Sequence, residues 1–436
     1  RLRSRGLGDV YKRQENTLQN SKDRLFIKLN SFVVAMMISA QTITGTIVRI
    51  PAFKDFHNNF IILVIALTII FAEIIYYKKV TIELPVMFFL SFVTLWYLYS
   101  LIFHGNNCDL DVIQFIFYAI IPIYVIGKKL DGELVMRYIL YLSLMTLPVI
   151  NLFFVLQYVK YNQAYMGNIY AILSPVIVAM IHFKLYRKQS NLLIKLTYIY
   201  NLYIMVKIVL FANRGAVLCL ACCAIVLVIN AYDDDKRKKL SAIKLSLIIV
   251  FSVIGILIII FALPLLHSLA DLCNSILNSV PSFISKMIKY LELGDVSDGR
   301  TAIDAFTLPA IANNPIFGYG IETFSKVSGE LANRSWPYPH QYIYQYLFEG
   351  GIVFGLIPVY SSLSLTAKVV CTRIKDKSEF ALCCTLVCVT LPKLLISTEP
   401  WATTSIWMLI TYSLIYICKT NPIFISLNQS FCSRRK

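Results

Sequence analysis

Long apolar runs alternate with short basic ones along almost the whole chain. Twelve stretches are apolar enough to enter a bilayer: residues 32–48, 60–77, 84–103, 112–126, 138–159, 169–183, 196–211, 216–231, 245–266, 342–365, 380–396 and 401–418. A helix crosses the hydrocarbon core with about 20 residues, ~17–25 in practice. None of the runs shows the strict apolar–polar alternation of a spanning strand. The pattern therefore predicts an all-α polytopic membrane protein of about twelve transmembrane helices, with 15–436 forming one integral membrane domain.

One long interval breaks the rhythm, 267–340. Apolar residues still punctuate it. Ile276, Leu277, Val280, Phe283, Ile284, Met287 and Ile288 recur at near-helical spacing, which predicts short amphipathic helices lying at the interface. A further helix is predicted over 298–312, closed by Asn313-Asn314-Pro315.

Charge then orients the chain. With the N-terminus inside, 30 of the 41 Lys and Arg residues fall in segments on the cytoplasmic side, and short outer loops hold few. The positive-inside rule thus puts both ends in the cytoplasm and 267–340 outside. The formal net charge of +17 is explained by this topology, with no nucleic-acid partner implied. Of the eleven cysteines only Cys108 and Cys273 fall outside, and no spacing suits zinc. The opening residues, 1–14, have neither an initiator Met nor an apolar h-region and read as a non-native leader.

Candidate chemistry gathers near the outer face. Arg214 stands in FANRGAV at the end of the seventh run, seven residues after Lys207. On one continuous helix that spacing puts both cations on the same face. An intramembrane cation usually faces a polar cavity or a partner; an interfacial anchor with a snorkelling lysine is the alternative. Arg300 follows in SDGR, close to Asp298 and Asp304, where a surface salt bridge is the competing account. Gly318 and Gly320, in IFGYGIETF, permit a tight turn and close backbone approach to a ligand. His340, in PYPH, heads the tenth run and can accept a proton near neutral pH; an interfacial helix-start His is the bland alternative. Tyr344 and Glu349 follow within the same run and are candidates to orient His340 or line its cavity. Asp233-Asp234-Asp235 sits beside KRKK in a cytoplasmic loop and reads as a solvated charge cluster, so no metal site is expected. Lys393, in the eleventh run, is a candidate to line a cavity.

The order SDGR, NPIFGYGIETF and PHQYIYQYLFEGGIVFG, with Asn213-Arg214-Gly215 upstream, resembles the O-antigen ligase-related family over 208–360. Gln341 stands where that pattern has Asn, Asn213 where it has Ser, and Asp298 is inserted before Gly299. The resemblance implies a GT-C-like membrane glycosyltransferase without a cofactor or metal. Its donor would be a glycan on undecaprenyl pyrophosphate and its acceptor a glycan or lipid A core. The setting would be the outer face of the bacterial inner membrane, amid membrane lipid. It further implies catalytic roles for Arg214, Arg300 and His340, with Lys207, Gly318, Gly320, Tyr344 and Glu349 lining the substrate site. Surface-polysaccharide polymerase and O-antigen ligase both fit. A transporter or flippase of lipid-linked saccharides is the rival, though it would more often show two similar halves.

Overall fold

A computed structural model describes residues 23–47, 59–78, 82–105, 110–161, 166–211, 214–229, 266–276, 300–371, 376–396 and 399–420, with single positions between them. Helix makes up 86% and strand is absent, so the all-α expectation holds among the described residues. In chain order the helices are α1 (Asp23–Ile38), α2 (Ala40–Ile47), α3 (Asn59–Tyr77), α4 (Leu84–His104), α5 (Val112–Ile126), α6 (Gly132–Tyr161), α7 (Met166–Tyr186), α8 (Leu192–Phe211) and α9 (Arg214–Ile229). Then follow α10 (Arg300–Asn313), α11 (Phe324–Ala332), α12 (Tyr342–Gly350), α13 (Leu356–Cys371), α14 (Lys377–Ile396) and α15 (Thr404–Thr420).

Seven helices are long and apolar enough to cross a membrane, or eight if α1 and α2 count as one span bent by 67°. This is fewer than the twelve expected from apolar runs. The missing ones are mostly helical but short: α5 and α9 have 10–17 residues of apolar helix, and α15 has 17 residues. The run at 245–266, like Asp233–Asp235 and most of the amphipathic stretch 275–291, lies outside the described residues.

Two runs that read as single spans are broken. The first bends at Ser39, between α1 and α2. The tenth stops at Gly350 and passes through a π-helical turn, Gly351–Gly355, before α13 resumes. The last run does not open with helix either: Trp401 lies in a turn and α15 begins at Thr404. Within the outer segment, α10 matches the predicted helix to within two residues and ends where Asn313-Asn314-Pro315 foretold. Helix α11 was not anticipated.

Helix α14 is the hub. It packs against α6, α7, α9, α12, α13 and α15, and 78% of its spanning window is buried within the protein. Such a helix is mostly surrounded by protein, which is why its face-to-face periodicity is lost: it is apolar all round. Lipid tails are as apolar as leucine, so helices associate through packing and hydrogen bonds rather than a hydrophobic drive. Polar stitches are found accordingly. Thr404 Oγ1 donates to Met37 O (2.7 Å), Ser413 Oγ to Ser361 O (2.6 Å) and Thr42 Oγ1 to Ala171 O (2.5 Å). Ser378 Oγ accepts from Gly132 N (2.7 Å) and donates to Asp131 Oδ1 (3.0 Å), tying α6 to α14 at their N-termini.

The charge argument makes a testable statement about sidedness. With the native cysteines removed, Ser335→Cys is expected to react with an impermeant thiol reagent in intact cells, and Lys129→Cys only after the cells are opened. The reverse pattern would invert the topology.

Candidate active site

The segment that runs from α10 to His340 is held by an exchange of backbone hydrogen bonds with the broken helix. Breaking α12 at Gly350 frees main-chain groups that a continuous helix would satisfy internally. The carbonyls of Phe348 and Glu349 accept from Tyr319 N and Gly320 N, each at 2.9 Å. In return Ile352 N donates to Pro315 O (2.8 Å) and Val353 N to Ile316 O (3.0 Å). The NPIFGYG turn and the EGG break are therefore two halves of one joint.

Two positive backbone angles make the joint possible. Gly318 has φ +70°, and a Cβ there would meet Phe348 O and Glu349 C at 2.5 Å. Gly351 has φ +57°, and a Cβ there would collide with Ile316 O. The close approach that Gly318 allows is thus to the protein's own backbone. Gly320 turns its α-carbon toward the His104 ring, and Ile321 N donates to Ser100 Oγ (2.9 Å), so the turn also seats on the outer end of α4. Gly318→Ala is expected to lower thermal stability in detergent by at least about 1 kcal/mol, from the left-handed φ alone; an unchanged melting temperature would contradict the joint.

Side chains reinforce it. Ile303, Ala310, Phe324, Val327 and Phe348 form a small core outside the main one, where α10 and α11 close over α12. Phe348 stacks on Tyr319 (centroids 4.7 Å apart) and meets Phe324 edge-on (4.9 Å).

On the inward side of α12, Glu349 is fully buried. It accepts from Trp401 Nε1 (2.5 Å), Gln345 Nε2 (3.0 Å) and the Glu322 amide. These bonds tie α12 to the turn before α15 and to the glycine turn at once. Glu399 joins them: burial lifts its pKa, opposed by hydrogen bonds with Glu322 and Gln345. Two carboxyl groups share a hydrogen bond only with a proton between them. Around this knot stand Trp96, Tyr346 and Trp407, with Trp401 4.7 Å from Trp407 and 5.4 Å from Trp96. Trp401, Gln345, Glu322 and Glu399 were not singled out from sequence. Glu349 was, as a candidate to orient His340; the bonds it makes run to this knot instead.

His340 sits on the other side, two residues before α12 begins. Its φ is +58°, a region that a non-glycine residue enters only at a cost of roughly 1–3 kcal/mol and that clusters at functional sites. Pro337 and Pro339 stiffen the approach to it. The ring lies against Tyr338 at 4.4 Å, and Nδ1 is buried with no hydrogen-bond partner among the described residues. Burial, and after it the positive charge of Arg300, holds the imidazole below its usual pKa. His340 is therefore neutral at pH 7 and keeps a lone pair available. Tyr344, one turn on, is half-buried.

Both candidate arginines lie in helices, Arg214 in α9 and Arg300 in α10, and the residues just before each lie outside the described ones. Among the described residues no carboxylate lies within ion-pair distance of Arg300; Asp304, lifted by its own burial, feels the guanidinium only at longer range. The surface salt bridge offered as an alternative role for Arg300 is thus not formed with Asp304. The Arg214 side chain lies outside the described residues.

The junction between α8 and α9, residues 212 and 213, lies outside the described residues, and with it the face that Lys207 and Arg214 were expected to share. Lys207 donates to Asn151 Oδ1 on α6 (2.7 Å), with the Tyr203 ring 5.5 Å away. Among the described residues no group of three His, Cys, Asp or Glu side chains is arranged to hold a metal ion.

Among the described residues, what the arrangement offers is an imidazole whose Nδ1 has no hydrogen-bond partner, within electrostatic range of a guanidinium that no carboxylate approaches at ion-pair distance. Residues 199–359, which include Lys207, Arg214, Arg300, Gly318, Gly320, His340, Tyr344 and Glu349, match the family model described as O-antigen ligase. A comparison with curated proteins found no match.

Proposed function

Taking membership of an O-antigen ligase-related family as the premise, we propose that this membrane enzyme of surface-polysaccharide assembly transfers a glycan from undecaprenyl pyrophosphate to a sugar hydroxyl. The acceptor is a growing repeat-unit glycan or a lipid A core, which makes the enzyme a polysaccharide polymerase or an O-antigen ligase. The bundle is read as GT-C-like. The reaction is placed on the periplasmic side of the bacterial inner membrane.

The observation that carries this reading is the His340–Arg300 pair, since the two residues supply the two things the reaction needs. As the acceptor oxygen bonds to the anomeric carbon, His340 takes the hydroxyl proton. The bond from that carbon to the phosphate oxygen breaks, and the electron pair leaves on the pyrophosphate. Arg300, with Arg214, meets that growing negative charge. Guanidinium suits the role because it stays charged and bonds phosphate oxygens in pairs. A single displacement inverts the anomeric centre.

The remaining residues serve the site less directly. Gly318 and Gly320 seat the turn that carries the outer helices. Glu349 locks α12 in place behind His340. The reading also assigns Tyr344 and Lys207 to the substrate path. Charge neutralisation by arginine implies a metal-independent transfer. The purified enzyme is expected to keep its rate in excess chelator. Loss of activity restored by magnesium or manganese would show that a cation, not arginine, carries the leaving group. The reading as a whole is tested by incubating purified protein with an undecaprenyl pyrophosphate-linked oligosaccharide and an acceptor glycan. Longer glycan with an inverted linkage is expected, whereas flipping without transfer would favour the transporter.

A further inference from the structure

Among the described residues, Lys393 is a strongly buried cation without a carboxylate partner that the proposed chemistry leaves unused. It lies in the last turn of α14, the hub helix, and is 5% exposed. Among the described residues no carboxylate pairs with it; its ionisable neighbour is the thiol of Cys219, on α9. Three ordinary explanations fail. It cannot snorkel to lipid, because α14 is enclosed by other helices. It is not half of a buried ion pair. The dipole at the C-terminal end of α14 favours a cation but offsets only a small part of burying one. An intramembrane charge kept without a partner marks a ligand path.

Its position says which ligand. Cys219 is five residues into α9, roughly 7.5 Å along the axis from the Arg214 end. Helix α12, which begins just after His340, also packs on α14. The elements carrying Arg214 and His340 thus converge on the helix whose outer end bears Lys393. We propose that Lys393 is a third cationic contact for the pyrophosphate of the lipid-linked donor. The inference rests on the donor class given above. It lies outside residues 199–359, so it extends the site beyond the segment that matches the family. A compact ammonium on a flexible stem complements the two arginines: it follows the phosphate as a point charge, where guanidinium fixes its orientation.

The experiment measures affinity of the full-length protein, in lipid nanodiscs, for undecaprenyl pyrophosphate and undecaprenyl monophosphate. Lys393→Met removes the charge at similar length, and an apolar group is easier to bury than an ammonium, so the variant is expected to stay folded. Lys393→Gln is the second neutral variant. Both are expected to bind undecaprenyl pyrophosphate about tenfold more weakly than wild type, the loss of one charge-assisted contact, with less change for the monophosphate. Wild-type affinity in either folded variant overturns the proposal and leaves the donor reading standing. Failure of the wild-type protein itself to bind undecaprenyl pyrophosphate removes the donor reading, and this proposal with it.

Discussion

His340→Gln is expected to lower glycan transfer at neutral pH by about 10²–10⁴-fold, the usual contribution of a positioned proton acceptor. Donor affinity should be largely kept, because His340 meets the acceptor and not the pyrophosphate. The pH profile gives an independent check. Burial and Arg300 both hold His340 below 6.5, so the active neutral form predominates at pH 7. Activity is therefore expected to be flat from pH 7 upward and to fall as pH drops below that range, where the ring gains a proton and cannot accept another. In His340→Gln the acid limb should disappear with the rate. A Gln variant with near wild-type turnover would take His340 out of the mechanism and leave its left-handed backbone without a functional reason.

Arg300→Ala is expected to cost about 10²–10³-fold in turnover, the scale seen when one donor to a developing anion is removed. Lysine should restore only part of this, since it cannot bond two phosphate oxygens in one plane. The residual activity carries a second signature. Arg300 is the lesser of the two causes that depress His340. Removing it lets the imidazole protonate more readily, so the acid limb of Arg300→Ala should move to higher pH. In Arg300→Lys the charge remains and the limb should stay. A drop in rate with no such movement would mean that the two side chains are not neighbours in the working enzyme.

Membrane character was legible because a bilayer imposes one loud rule, long apolar runs between basic loops. Arg300 and His340 stood out in the sequence too, as charged or titratable residues between the apolar runs. The partners of those runs were not. Glu349 looks like one odd carboxylate before two glycines; its hydrogen bond to Trp401 joins positions 52 residues apart and leaves no periodic trace. The glycines in IFGYG announce a tight turn, but nothing local says that its amides meet the carbonyls of a helix broken thirty residues later. Helix α11 carried a signal that was there to be read: Phe324, Val327 and Leu331 stand at i, i+3 and i+7, of which the first two are buried.

The hydrogen-bond exchange between the NPIFGYG turn and the Gly350–Gly351 break also sets rules for anyone who would recombine this protein with a relative to change its acceptor. A graft of this segment cut near residue 340 would separate the amides of 319–320 from the carbonyls they need and leave both sets unsatisfied. The natural exchange unit runs from the start of α10 through the π-turn at Gly355, past the apparent edge of the loop. Chimeras cut at 300 and 355 should express as folded protein, and those cut at 300 and 340 should not, unless donor and recipient share both glycine elements.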